Sequence, residues 1–73
     1  MLTKQKLVVA VGTKVRLLRS NKGLSIEKLA LESGLSYSQI IRIETGKINT
    51  SIYQLYIISK TLKVDITEFF EGV

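Results

Sequence analysis

The first third of the chain carries apolar residues at the spacing of one helix face. They recur at intervals of three and four residues, at Val8, Val11, Val15 and Leu18. This repeat is typical of an amphipathic helix, and Gly23 follows it as a stop signal. The pattern predicts a first helix from Thr3 to Asn21.

Gly12 interrupts this predicted helix. A glycine inside a helix costs about 1 kcal/mol relative to alanine. The sequence leaves two explanations open: close packing against a neighbouring element, or a break that separates a frayed first turn.

A short second helix is predicted next. Ser25 is placed to cap a helix from Ile26 to about Ser33, and Gly34 follows it as a left-handed helix terminus. Leu29 and Ala30 are expected to point inward.

A third helix begins after the Gly34 turn. Ser36 and Gln39 have the spacing of a capping box, which pairs backbone donors at a helix start. Ile40 and Ile43 are its inward positions, and Gly46 ends it.

Two further capping patterns divide the rest of the chain. Ser51 with Gln54 predicts a fourth helix that ends near Leu62, with an inward stripe at Ile52, Leu55, Ile58 and Leu62. Asp65 with Glu68 predicts a short fifth helix. We therefore expect an all-α, compact five-helix bundle that forms one domain over residues 1–73.

The composition excludes several classes of function. The chain has no cysteine and no histidine, so it lacks the commonest general base and the usual zinc ligands. We expect no catalytic residue, no metal and no cofactor, and therefore no enzyme. The apolar runs are too short to span a bilayer and nothing resembles a signal peptide, so we expect a cytoplasmic protein without a membrane partner.

The positive charge is concentrated in the N-terminal third. Of the 11 basic residues, six precede Glu27, the first acidic residue. Such a basic field attracts phosphate backbones and also anionic membranes, and a solvated helix face has the same composition.

The two short helices and their glycine turn, residues 25–45, have the spacing of a helix-turn-helix. In that motif the second helix lies in the major groove of DNA. A plain structural hairpin in an all-α domain gives the same pattern.

The stretch from Val15 through Phe70 resembles the phage-repressor and Cro type of helix-turn-helix domain, the XRE family. The matching segments are VRLLRSNKGLS, LALESGLSYSQIIRIETGK and SIYQLYIISKTLKVDITEFF. This resemblance implies a lambda-repressor-like bundle of five helices that binds double-stranded operator DNA as a homodimer.

The resemblance also implies site residues, with a recognition helix from Ser36 to about Thr45. The implied base-reading residues are Tyr37, Ser38 and Arg42, with Ser36, Gln39 and Ile41 at the rim of that helix. The implied phosphate-binding residues are Ser25, Lys47, Asn49 and Ser51. The implied structural ion pair is Arg19 with Glu44.

Two of these roles keep alternatives. An arginine at position 42 can donate two hydrogen bonds to guanine, which is the favoured role, and the alternatives are a phosphate contact or a solvated side chain. Tyr37 can contact the DNA backbone or a base.

Two positions depart from the family pattern. Ile26 stands where the family usually has a phosphate-contacting glutamine, so this chain cannot make that interaction, and an exposed Ile26 would indicate an unusual operator or a protein partner. Thr50 replaces a common proline, so we expect a more mobile loop from Lys47 to Thr50.

The expected function is a transcriptional regulator, acting as a repressor on a short palindromic operator and needing no small-molecule ligand. A phage repressor, a restriction-modification controller and an antitoxin remain open. The alternative is a protein-interaction module that buries an apolar surface against a partner. Its residues would be Ile26, Ile41, Phe69, Phe70 and Val73, although the same aromatics can close the core or form a homodimer interface.

Overall fold

The computed structural model describes residues 1–73 as four α-helices and a final 3-10 helix, without strands. The elements are α1 (Lys4–Asn21), α2 (Ile26–Ser33), α3 (Tyr37–Glu44), α4 (Ile52–Leu62) and the 3-10 helix (Ile66–Phe70). The predicted all-α class is confirmed. The expected fifth helix differs in kind, because its five residues form the tighter 3-10 turn that is common in short pieces.

Hydroxyl side chains open each α-helix. The capping residues are Thr3, Ser25, Ser36 and Ser51, and the hydroxyl of each accepts a hydrogen bond from the backbone amide three residues later. Such caps pair amides that otherwise have no partner in the helix. They explain why these helices begin where they do.

The predicted capping boxes have different outcomes. Those opened by Ser36 and Asp65 are complete. At Ser51 only half of the box forms, because the Gln54 side-chain oxygen accepts a hydrogen bond from the Thr50 hydroxyl instead of from the Ser51 amide. The prediction of a full box at Ser51 is therefore wrong.

The core is a single cluster to which every helix contributes. Its buried apolar residues are Val11, Val15, Leu29, Ala30, Ile40, Ile43, Leu55, Ile58, Leu62 and Phe69. The long α1 packs against both α3 and the 3-10 helix, and α2 packs against α3 and α4. These contacts hold α3 from both sides.

Gly12 lies inside an unbroken α1. A Cβ atom placed on it would lie 2.0 Å from the carbonyl oxygen of Ile43. Of the two explanations, close packing is correct and the helix break is wrong, since only glycine lets the two backbones approach so closely.

Several apolar residues lie elsewhere than expected. Ile26 is half-buried against the core, and Phe69 is fully buried within it, so neither belongs to an exposed interaction surface. Ile52, predicted on the inward stripe of α4, is instead 78% exposed. None of the helices combines the length and the hydropathy of a membrane-spanning segment.

Candidate nucleic-acid interface

The turn between α2 and α3 has helix-turn-helix geometry. Gly34 ends α2 with a left-handed φ of 79°, and its amide donates to the Ala30 carbonyl at 3.0 Å. A Cβ atom at Gly34 would meet no other atom, so this position requires glycine for its backbone conformation. Below the turn, buried Leu29 and Ile40 fix the position of α3.

One side of α3 is buried and the other is open. Ile40, Ile43 and Glu44 are buried, whereas Tyr37, Ser38 and Arg42 are exposed. At 3.6 residues per turn, positions 37, 41, 38 and 42 follow one another over an arc of about 140°. The three residues predicted to read bases therefore lie on one accessible arc, together with half-buried Ile41.

Two of the predicted rim residues cap the start of α3. The Gln39 amide donates to the Ser36 hydroxyl at 3.1 Å, and the Ser36 amide donates to the Gln39 side-chain oxygen at 3.0 Å. Because these groups already have partners, their first role is to fix the start of α3.

Unpaired backbone amides lie at the starts of α2 and α4. The hydroxyls of Ser25 and Ser51 accept hydrogen bonds from Lys28 and Gln54. The first two amides of each helix make no hydrogen bond in the chain. Such amides, at the positive end of a helix dipole, are suited to bind an anion.

Lys47 and Asn49 lie exposed in the loop between α3 and α4. The Lys47 amide donates to the Arg42 carbonyl at 2.8 Å, which ties this part of the loop to α3. The loop thus carries two of the four predicted phosphate-binding residues directly after α3.

A buried ion pair connects the end of α1 to the end of α3. Arg19 Nε lies 2.7 Å from Glu44 Oε2, and its Nη2 donates to Oε1 at 3.1 Å. Nη1 donates to the Leu24 carbonyl at 2.6 Å. The side chains are only 11% and 3% exposed, so this pair belongs to the architecture that holds α3.

Two features near the interface were not found from the sequence. A mainly apolar cavity of about 240 Å³ lies between α1, α4 and the α3–α4 loop, and Leu7, Ile52 and Phe70 are among its lining residues. The side chain of Gln5 donates to the carbonyl of Gly46, 41 residues away in the chain. Neither feature has a local sequence signature.

The comparisons with known proteins agree with this geometry. The helix-turn-helix family model HTH_3 matches residues 15–69. The regulator SlrR of Bacillus subtilis is 45% identical over 63 residues, which cover 85% of this chain and 41% of that protein. The chain thus spans less than half the length of this relative.

Solved structures give the same result for the fold. The restriction-modification controller protein C.AhdI of Aeromonas hydrophila is 36% identical, with a TM-score of 0.84 over 86% of this chain and 96% of that chain. Wild-type C.Esp1396I, another such controller, is 35% identical with a TM-score of 0.81, over 89% of this chain and 86% of that chain. The family match covers most of the chain and includes both helices of the motif. The chain therefore belongs to the HTH_3 family of helix-turn-helix domains.

Proposed function

We propose that this chain is a sequence-specific, cytoplasmic DNA-binding regulator of transcription that inserts α3 into the major groove. The observation that carries the proposal is the orientation of α3. Tyr37, Ser38 and Arg42 are exposed, whereas Ile40 and Ile43 on the other side are buried. A helix fixed in this way can present its polar arc to base edges.

Base reading is assigned first to Arg42. Its guanidinium can donate two parallel hydrogen bonds to O6 and N7 of guanine, worth about 1–3 kcal/mol of discrimination. Tyr37 and Ser38 provide hydroxyl donors on the same arc, with Ser36, Gln39 and Ile41 around them. No catalytic group is needed for this activity.

Phosphate binding is assigned to the helix starts and to the loop on either side of α3. Ser25 and Ser51 place free amides at the starts of α2 and α4, and Lys47 and Asn49 add side-chain donors. These contacts fix the register of α3 on the duplex but do not read sequence.

We further propose that two copies bind a short palindromic operator as a homodimer. Ile52 and Phe70 line the apolar cavity and are 78% and 40% exposed. Burial of such side chains against a second copy is favourable. Acidic Glu68 lies in the 3-10 helix and Glu71 directly follows it, whereas basic Lys4 and Lys6 lie in α1. Because α1 packs against the 3-10 helix, these neighbouring elements carry both charges that a self-complementary interface needs.

We assign repression as the mode of regulation. Occupation of operator DNA alone can block transcription, whereas activation requires an additional surface for the transcription machinery. The similarity to regulators and to restriction-modification controllers supports regulation of transcription.

The test is selection from a pool of randomised duplexes, with sequencing of the bound fraction. We expect one enriched motif with half-sites about 34 Å apart. The logarithm of affinity should fall with the logarithm of salt concentration by about 0.9 per neutralised phosphate. No enrichment at moderate salt would contradict the proposal.

A second candidate is a protein-interaction module, which the exposed apolar side chains of Ile52, Phe70 and Val73 favour. Sedimentation at several concentrations, with and without the selected duplex, separates the two functions. A monomer that ignores DNA would support the interaction module, and a dimer that binds the duplex would exclude it as the main function.

A further inference from the structure

The loop that joins α3 to α4 has few hydrogen bonds of its own. The backbone groups of Ile48, Asn49 and Thr50 make no hydrogen bond within the chain. Residues 48–50 also line the apolar cavity, so the loop has open space on that side. Half-buried Ile48 packs against the core, and the rest of the loop depends on the anchors at its two ends.

Local groups supply part of that anchoring. At the α3 end, the Lys47 amide donates to the Arg42 carbonyl. At the α4 end, the Thr50 hydroxyl donates to the Gln54 side chain. Both hydrogen bonds join residues four or five positions apart.

The Gly46 amide donates to the Ile43 carbonyl at 3.2 Å, and a further anchor comes from the first turns of α1. Gln5 Nε2 donates to the carbonyl oxygen of Gly46 at 3.2 Å. One turn further along α1, Val9 lies so close to Gly46 that a Cβ atom on Gly46 would be 2.6 Å from Val9 Cγ2. The α3 end of the loop is thus held by side chains that lie about 40 residues earlier in the sequence.

These α1 residues precede the family match, which begins at residue 15. The match includes the recognition helix and the loop, but not the turns of α1 that touch Gly46. The interaction therefore joins the matched motif to residues that lie outside the family model.

We infer that Gln5 is a positioning residue for DNA binding. By fixing the Gly46 carbonyl, Gln5 fixes the residue directly before Lys47 and so the direction in which Lys47 and Asn49 leave α3. The inference rests on the proposed function, because it is the phosphate binding of this loop that Gln5 supports. Gln5 itself does not touch DNA in this scheme.

The test compares Gln5→Ala with Thr13→Ala. Both substitutions truncate an exposed, neutral polar side chain on α1 and leave the net charge unchanged, but only Gln5 makes a side-chain hydrogen bond. Affinity for the duplex enriched in the selection is measured at several salt concentrations. Amide hydrogen exchange is measured on the DNA-free protein.

For Gln5→Ala we expect affinity to fall about 3- to 10-fold, the range for one hydrogen bond. The slope of the logarithm of affinity against the logarithm of salt concentration should become shallower by about 0.9 for each phosphate that the loop no longer neutralises. A simple decrease in the stability of the fold does not produce this effect. In the DNA-free protein, the hydrogen-bonded amides of Gly46 and Lys47 should exchange faster while core amides of α4 are unchanged. Thr13→Ala should match the unaltered protein in all three measurements.

The inference is overturned if Gln5→Ala leaves the salt slope and the exchange of the loop amides unchanged. It is also overturned if Thr13→Ala produces the same changes, because the hydrogen bond is then not their cause. Failure of the unaltered protein to enrich any duplex would contradict the proposed function instead, and the exchange measurement would still decide whether Gln5 holds the loop.

Discussion

The α-carbon of Gly12 lies against the carbonyl of Ile43, with no space for a side chain between them. A Cβ atom on Gly12 would lie 2.0 Å from the Ile43 oxygen and 3.1 Å from the Glu44 oxygen. Both neighbours are backbone atoms in the last turn of α3, which cannot move aside as a flexible side chain could. This close approach sets the distance between α3 and α1.

Gly12→Ala should therefore destabilise the fold strongly. Overpacking typically costs about 1–3 kcal/mol and sometimes more. Because both partners are backbone, we expect a net decrease in unfolding free energy of about 3 kcal/mol, even though alanine favours a helix by about 1 kcal/mol. Urea unfolding followed by circular dichroism measures the change.

Gly23→Ala is the matched control, because a Cβ atom there would meet nothing although φ is +72°. Backbone strain alone should cost about 1–2 kcal/mol. An equal decrease in the two variants would contradict the importance of the close approach at Gly12.

The buried pair of Arg19 and Glu44 should contribute to stability before it affects DNA binding. Arg19→Ala leaves a carboxylate that is 3% exposed without its partner. Removal of one partner of a buried pair costs about 3–5 kcal/mol. The free energy of unfolding from urea titration at neutral pH gives the value.

The pair between Lys28 and Glu32 offers a control at the surface. Its atoms are 3.5 Å apart, and the side chains are 54% and 41% exposed. Exposed helix pairs contribute about 0.3–0.5 kcal/mol, so Lys28→Ala should have only a small effect. An equally small effect of Arg19→Ala would show that the buried pair is not structural.

The cap of the 3-10 helix should make stability depend on pH. The backbone amide and then the hydroxyl of Thr67 donate to Asp65, and these hydrogen bonds lower the pKa of its carboxyl below the ordinary value of 3.8. Because this pKa is lower in the folded state than in the unfolded state, the ionised carboxylate stabilises the fold at pH values above the unfolded-state pKa. This contribution disappears as pH falls through the folded-state pKa.

The measurement is the difference in unfolding free energy between the unaltered protein and Asp65→Ala over a series of pH values. The difference should be constant near neutral pH and should shrink as the solution is made acidic, below pH 3.8. Asp65→Asn keeps an uncharged cap, so its difference from Asp65→Ala should not depend on pH. A difference between the unaltered protein and Asp65→Ala that grows in acid would contradict the assignment.

Local signals predicted where the helices begin and end. The hydroxyl at Ser36 and the carboxylate at Asp65 act on amides two or three residues away, so their caps could be predicted from adjacent sequence. The half-formed box at Ser51 shows the limit of such patterns. There Gln54 has a competing neighbour in Thr50, and the spacing of residues does not reveal which hydrogen bond forms.

Interactions between distant segments could not be predicted in this way. Ile52 fits the apolar stripe of α4 but is exposed, because the space beside it is the cavity and no element fills it. The need for glycine at position 12 is explained only by the Ile43 carbonyl in α3, which lies against it. The hydrogen-bond partner of Gln5 is the Gly46 carbonyl, 41 residues away. The roles of Tyr37, Ser38 and Arg42 came from the resemblance, and their exposure supports the proposed roles without testing them.

Arg42 provides the sharpest test of the proposed base reading. Its side chain is exposed on α3 and forms no ion pair in the chain. Arg42→Ala should therefore change the unfolding free energy by no more than about 0.5 kcal/mol. Affinity for the selected duplex should fall by about 1–3 kcal/mol, because the variant cannot form the paired hydrogen bonds to guanine.

Specificity separates base reading from phosphate binding. If Arg42 reads guanine, repeating the selection with Arg42→Ala should relax the preference at one position in each half-site, whereas removal of a phosphate-binding group weakens all sequences alike. Lys60→Ala removes the same charge from an exposed side chain on α4 that lies over the Tyr56 ring, so it controls for net charge. An unchanged motif with uniformly weaker binding would assign Arg42 to the DNA backbone, and the reading of bases would then fall to Tyr37 and Ser38.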